Sequence, residues 1–182
     1  FLVAATSMAF LQGCSRSGTR PNVLLITLDT TRADRLGCYG YTNGLTPNID
    51  GVAERGLLFG RAYSTVPLTL PAHSSMMTGL YPHQAGVGAM VSDYNLPGYR
   101  GRLNEQCVTI AEALKTGGYH TLMTGKWHVG ENRPHWPVDR GFDRYFGLIS
   151  GANSFFSLSP GRQMALDNEP YIPTDDDFYM TD

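Results

Sequence analysis

The sequence predicts an α/β fold with a mostly parallel central sheet and helices on both faces, and three observations carry that expectation. Asn22-Val23-Leu24-Leu25-Ile26-Thr27-Leu28 is a nearly unbroken apolar run bounded by Pro21 and Asp29, the pattern of a strand buried on both faces. Asp29 stands at the carboxyl end of that run, where open α/β sheets gather their ligands. Strand and helix signals then alternate as far as residue 124, as a layered α/β domain requires.

Length and composition set the bounds. A chain of 182 residues has the length of one domain. Its 42% hydrophobic and 16% charged residues describe a globular protein able to bury a core. A formal net charge of −2 gives no reason to expect nucleic acid or an acidic membrane surface as partner. The chain does not begin with Met and ends at Tyr179-Met180-Thr181-Asp182 without a terminating feature, so a truncated piece of a longer protein is expected.

The opening run Phe1 to Leu11 is shorter than the roughly 20 apolar residues that span a bilayer, and it has the length of a signal-peptide apolar core. Leu11-Gln12-Gly13-Cys14 resembles a bacterial lipoprotein cleavage box, with Cys14 as the lipidated residue; a plain secretory signal or a disordered tail is the alternative. Residues 1–20 are therefore expected to be a lipoprotein-type signal and linker, and residues 21–182 an exported domain in the periplasm or at the cell surface. Such a domain would meet the membrane only through its lipid anchor. Cys38 and Cys107 are too few and too scattered for a disulfide framework or a metal cluster, and buried free thiols are expected.

Taken in order, the strand over 22–28 leads into a polar, glycine-punctuated loop from Asp29 to Gly40. Thr46 followed by Pro47 predicts a capped helix running to about Arg55 and stopping at Gly56. A strand around Leu57 to Tyr63 is expected next. Pro71 suits a first helical turn and Gly79 suits the residue just past a helix end, so a short helix lies between them with Thr69 at or beside its N-cap. Thr109 and Glu112 form a capping-box pattern for a helix through Lys115, closed by Gly117. Tyr119 to Thr124 is the next strand. Beyond Gly130 the chain is loop-rich and no element is assigned.

Two groups of residues bear on chemistry. A helix start favours an anion through its unpaired N–H groups and its dipole. The Thr69 hydroxyl beside such a site is the arrangement needed to attack a sulfate or phosphate ester. The same residues also suit a capped surface helix with an ordinary threonine. Asp29 at a strand end suits a hard divalent cation, which takes carboxylate and hydroxyl oxygens, or it caps the following turn.

The stretch Val66 to Gly79 resembles the nucleophile signature of the sulfatase family. There, Cys or Ser, then Pro two residues on and Arg four on, precede a short helix ending in Thr-Gly. Pro71, Ser75, Thr78, Gly79 and Leu80-Tyr81-Pro82 match. Asp29-Thr30-Thr31-Arg32-Ala33-Asp34 through Gly40 looks like the metal-binding start of sulfatases and of their phosphonate- and phosphodiester-cleaving relatives. Gly118 to Gly130, with Gly125-Lys126-Trp127-His128, matches the second sulfatase signature. Arg140 to Gly147 and Tyr179 to Asp182 are similar to the family as well.

The resemblance spans about residues 21 to 182 and implies an alkaline-phosphatase-type fold, of which this chain is the N-terminal part of the catalytic domain. It implies a divalent metal, Ca²⁺ foremost with Mg²⁺ or Mn²⁺ as alternatives, held by Asp29, Thr30 and Thr69. Thr30 is the weaker ligand, since most sulfatases carry a second Asp there. The catalytic residues it implies are Thr69, His73, Lys126 and His128. Lys126 would contact the substrate oxyanion as a point charge, and His128 would hydrogen-bond the nucleophile or the leaving oxygen. The second carboxylate and the Asn or His that complete the family's metal site would lie beyond this chain.

Two positions depart from the family pattern: Thr69 replaces Cys or Ser, and His73 replaces Arg. Sulfatases oxidise their Cys or Ser to formylglycine, whose hydrate attacks sulfur. Threonine cannot give that aldehyde, because its β-carbon already carries a methyl group. Thr69 would therefore act as a plain metal-activated alkoxide. Three readings follow: a sulfuric-ester hydrolase of arylsulfatase type acting on a small-molecule or glycan ester, a phosphate-ester or phosphonate hydrolase or transferase with Thr69 as nucleophile, and a non-catalytic glycan-binding lipoprotein.

Overall fold

A computed structural model describes residues 2–3, 20–90, 93–174 and 178–180 of the chain. The expected leader, Cys14 included, lies almost wholly outside the described residues. Among those described, no helix is long and apolar enough to cross a membrane. The chain divides into two compact units, Phe1–Ser64 and Thr65–Asp182.

The first unit holds strands β1 (Leu2–Val3) and β2 (Ile26–Thr27), paired antiparallel. After β2 come two 3₁₀ turns, Ala33–Arg35 and Gly37–Tyr39, and then helix α1, Pro47–Arg55. Thr46 is the N-cap of α1 as predicted, but its hydroxyl does other work. It accepts the Gly37 N–H (2.9 Å) and lies 3.1 Å from the Asp50 carboxylate, which itself accepts the Cys38 N–H (2.7 Å). A side chain on Gly37 would collide with that carboxylate, so the second 3₁₀ turn is fastened to α1 by close backbone approach.

Two strand expectations change here. The run over 22–28 was expected to be buried on both faces, yet Val23, Leu24 and Ile26 are 54%, 76% and 55% exposed. Only Ile26–Thr27 is strand among the described residues of that run. Burial on two faces needs a covering layer on each, and this unit supplies neither over those side chains. Leu57 to Tyr63 likewise forms no strand and is exposed throughout. Apolar content marks a segment that is able to be covered; it does not supply the cover.

The second unit contains helices α2 (Thr69–Thr78) and α3 (Ile110–Thr116) and a four-stranded sheet in the order β3-β4-β5-β6. The strands are β3 (Leu122–Thr124), β4 (Arg144–Leu148), β5 (Met164–Leu166) and β6 (Glu169–Tyr171). β3 and β4 pair in parallel, with Leu122 opposite Arg144, and β4-β5-β6 continue antiparallel. The α/β class therefore stands, but the parallel pair β3-β4 lies at one edge of this sheet and the rest, from the stretch left unassigned by the sequence, is antiparallel rather than mostly parallel as expected. The core of this unit joins Leu70 and Met77 of α2, Ala111 of α3, Trp127 and Tyr145.

The capping box of α3 forms as predicted: the Glu112 N–H donates to Thr109 Oγ1 (3.1 Å) and the Thr109 N–H donates to Glu112 Oε2 (2.7 Å). The Arg140 to Gly147 stretch turns out to bind this helix to the sheet. Arg140, 7% exposed, pairs with Glu112 at 3.0 Å and donates to the Cys107 carbonyl at 2.8 Å. Both remaining cysteines are free thiols; Cys107 is buried as expected, while Cys38 is half-buried.

Asp143 closes the frame. Its carboxylate takes the Lys115 ammonium (2.6 Å) and the Thr121 N–H (2.9 Å). The bond to Lys115, reinforced by that N–H, lowers its pKa from 3.8 to about 2. A carboxyl depressed in the fold stabilises above its unfolded pKa, and that stability is lost as pH falls through the folded pKa. Asp143→Asn in the full-length protein is therefore expected to lower stability at pH 7 and to converge on wild type between pH 4 and 2, read by denaturant unfolding at each pH. A stability gap of constant size across that window would count against this assignment.

Candidate active site

Asp29 and Thr30 lie in the first unit, and Thr69, His73, Lys126 and His128 in the second. Asp29 is exposed in the turn after β2. Thr30 follows with φ +56°, a left-handed conformation that a β-branched residue rarely adopts. Among the described residues, four non-glycine positions have positive φ. Asn95 and Asp167 are of the types that enter this region readily in turns. The other two, Thr30 and His128 (φ +64°), both sit in predicted site motifs; histidine shares the tolerance of Asn and Asp for this region, so Thr30 is the outlier, at a strain of about 1–3 kcal/mol.

Asp29 and Thr30 offer the oxygen chemistry that a hard cation takes. A single carboxylate and a hydroxyl fall short of the roughly six to eight oxygens that Ca²⁺ gathers. Among the described residues, no group of three His, Cys, Asp or Glu side chains is placed to hold a metal. The donor type thus fits a hard divalent ion, with further ligands required.

In the second unit, Thr69 is the first residue of α2 rather than its N-cap. Leu68 takes the cap position in extended conformation and contributes no side-chain bond. The helix start is thus left without a capping oxygen from Leu68, which preserves its preference for an anion. Thr65 Oγ1 to Ser75 Oγ, at 3.0 Å, ties the approach segment to the helix. The far end closes at Gly79 (φ +70°), whose N–H donates to the Ser75 carbonyl at 2.8 Å. His73 lies one turn beyond Thr69 on the same side of α2 and is 7% exposed. Its ring meets Trp127 edge-on, with centroids 6.4 Å apart at 70°.

That contact matters because Trp127 sits between Lys126 and His128. Past the end of β3, Gly125 (φ +106°) turns the chain, yet the segment stays zipped along β4. The N–H groups of Gly125, Trp127 and His128 donate to the carbonyls of Phe146, Leu148 and Ile149 at 3.0, 2.9 and 3.0 Å. The Gly125 carbonyl accepts both the Leu148 N–H (3.1 Å) and the Tyr145 hydroxyl (2.9 Å). A side chain on Gly147 would run into the Gly125 backbone, so the bare Gly147 permits this close approach, while Gly125 serves through its left-handed φ. Trp127 is fully buried and donates its indole N–H to the His135 carbonyl at 2.8 Å. Lys126 and His128 are half-buried. The buried His73–Trp127 contact thus sets the helix bearing Thr69 against the loop bearing Lys126 and His128.

The sulfatase family profile matches residues 21–165. This chain belongs to the sulfatase family. It is 37% identical over 160 residues to an arylsulfatase of Klebsiella aerogenes, a match covering 86% of this chain and 34% of that one. It is 39% identical over 130 residues to human arylsulfatase A, covering 70% and 25% respectively. The crystal structure of Ps i-CgsB in complex with k-i-k-neocarrahexaose superposes with a TM-score of 0.70 at 27% identity, over 82% of this chain and 36% of that one. The chain therefore spans about a third of the bacterial relative and a quarter of the human one.

Trp127, Tyr145 and Gly147 stood inside the family-like stretches without an assigned role, and Gly151 stood outside them; all four shape the candidate site without bearing its chemistry. The two glycines were visible as letters. What they touch required the fold.

Proposed function

We propose that this chain carries the nucleophile-bearing part of a sulfate-ester hydrolase. Lys126 holds the anionic sulfate group as a point charge. The Thr69 oxygen attacks sulfur, the bond from sulfur to the ester oxygen breaks, and His128 passes the hydroxyl proton to the leaving oxygen. Water then attacks the sulfur of the sulfo-threonine, releasing sulfate and restoring the hydroxyl. A divalent cation, with Ca²⁺ foremost, would be held in part by Asp29, with Thr30 as a weaker ligand. When bound, it would supply charge stabilisation for the ester oxygens.

The observation that carries this reading is the His73–Trp127 contact, which joins the α2 segment and the Lys126–His128 loop in one packed unit. The relatives support the ester type, being called arylsulfatase and, in mouse at 36% identity over 136 residues, steryl-sulfatase. One solved relative is in complex with a neocarrahexaose, which makes a glycan ester a fitting substrate beside an aryl one.

A second reading is favoured by one specific residue. The β-methyl of Thr69 rules out an aldehyde, and a phosphoryl-threonine is more easily resolved by water than a sulfo-threonine. This reading makes the protein a phosphate-ester or phosphonate hydrolase or transferase. The full-length protein assayed on aryl sulfate, aryl phosphate and aryl phosphonate with one common leaving group separates the two. The highest kcat/KM is expected on the sulfate. A clear preference for phosphate or phosphonate would replace the first reading with the second, and no turnover of any of the three would remove both.

A further inference from the structure

We propose that Gly151 is a positioning residue for His128, its bare backbone forming the seat on which the imidazole rests. A Cβ built on Gly151 would lie 2.7 Å from His128 Nε2, 3.0 Å from Cε1 and 3.3 Å from Cδ2. One edge of the ring therefore occupies the space a side chain would fill. Neither backbone is placed to yield. The His128 N–H donates to the Ile149 carbonyl at 3.0 Å, two residues before Gly151. Between them, the Ser150 side chain is fully buried and its Oγ accepts the Gln163 N–H at 3.1 Å, while the Ile149 N–H donates to the Gln163 carbonyl at 2.8 Å. His128 is itself held at φ +64°.

Gly151 does not have a left-handed φ, so the strain of that region does not arise for alanine there. Adding a methyl therefore acts on the ring and not on the turn. With both main chains held, the imidazole must rotate away from its position. Placement errors of about 1 Å at a group that transfers a proton cost on the order of 100-fold in rate.

The inference rests on the proposed role of His128, and the test separates the two. Gly151→Ala, His128→Ala and the double variant are made in the full-length protein. Gly151→Ala is expected to shift the His128 ring signals in NMR spectra of histidine-labelled protein. It should lower kcat on the ester by about 100-fold with KM little changed. In the His128→Ala background the same methyl should cost nothing further, because the ring it displaces is gone. If Gly151→Ala lowers the melting temperature, the double variant should recover it for the same reason.

Unmoved ring signals would overturn the proposal, as would losses in activity or stability that simply add in the double variant. Full activity of His128→Ala would sink the catalytic role of His128 instead, and the ring signals would still decide whether Gly151 seats it.

Discussion

Thr69→Ala is expected to lower turnover of the full-length protein by roughly three to six orders of magnitude, the range seen when a covalent nucleophile is removed. Thr69 opens α2 and is half-buried, one turn before a histidine packed on Trp127. Its loss removes the attacking oxygen while leaving the helix start intact, so folding should be little affected. Thr69→Ser keeps the hydroxyl and should retain much of the activity. Rapid quenching of wild type with isotopically labelled ester should place labelled sulfur on the Thr69 peptide, or labelled phosphorus if the second reading holds.

The resemblance to formylglycine enzymes suggests a gain-of-function arm, Thr69→Cys with His73→Arg, expressed with the modifying enzyme. The fold adds a cost to it. His73 is buried against Trp127, so a longer, charged side chain there must find a partner or a way out to water. Robust turnover by Thr69→Ala would remove Thr69 from the mechanism and leave a water as the nucleophile.

The second large effect is expected at Asp29. Asp29→Ala should cost several orders of magnitude in turnover and lower the amount of divalent metal that co-purifies with the full-length protein, read by elemental analysis. Stability should change little, because the side chain is exposed in its unit and buries little apolar area. Chelation of wild type should abolish activity, with recovery on adding Ca²⁺, Mg²⁺ or Mn²⁺. Undiminished activity and metal content in the variant would show that Asp29 is not a ligand.

Local chemistry made much of this chain legible. The α3 capping box is written in Thr109 and Glu112, and the stop of α2 in Gly79, because a cap needs a few adjacent residues and no distant partner. The two signature stretches, with Thr69 and Lys126–His128, could be named for the same reason: their spacing is local. Strand β3 followed from the alternation of helix and strand signals, whereas its parallel partner β4 lies in the stretch that local signals left unassigned.

Long-range contact decided the rest. The run over 22–28 has the composition of a doubly covered strand, but coverage belongs to neighbours, and in its own unit those side chains stand exposed. Arg140 read as part of a family motif, and only packing showed that it clamps the start of α3 from 28 residues away. Sequence spacing could place Lys126 and His128 on one loop; it could not say that the backbone hydrogen bonds of β4 would hold that loop, or that Trp127 would lock it to α2. By itself the sequence determined which residues can do chemistry, since reactivity is a property of the side chain. The tertiary structure decided what holds them in place, since the supports are close approaches of backbone at Gly125, Gly147 and Gly151 that no local pattern encodes.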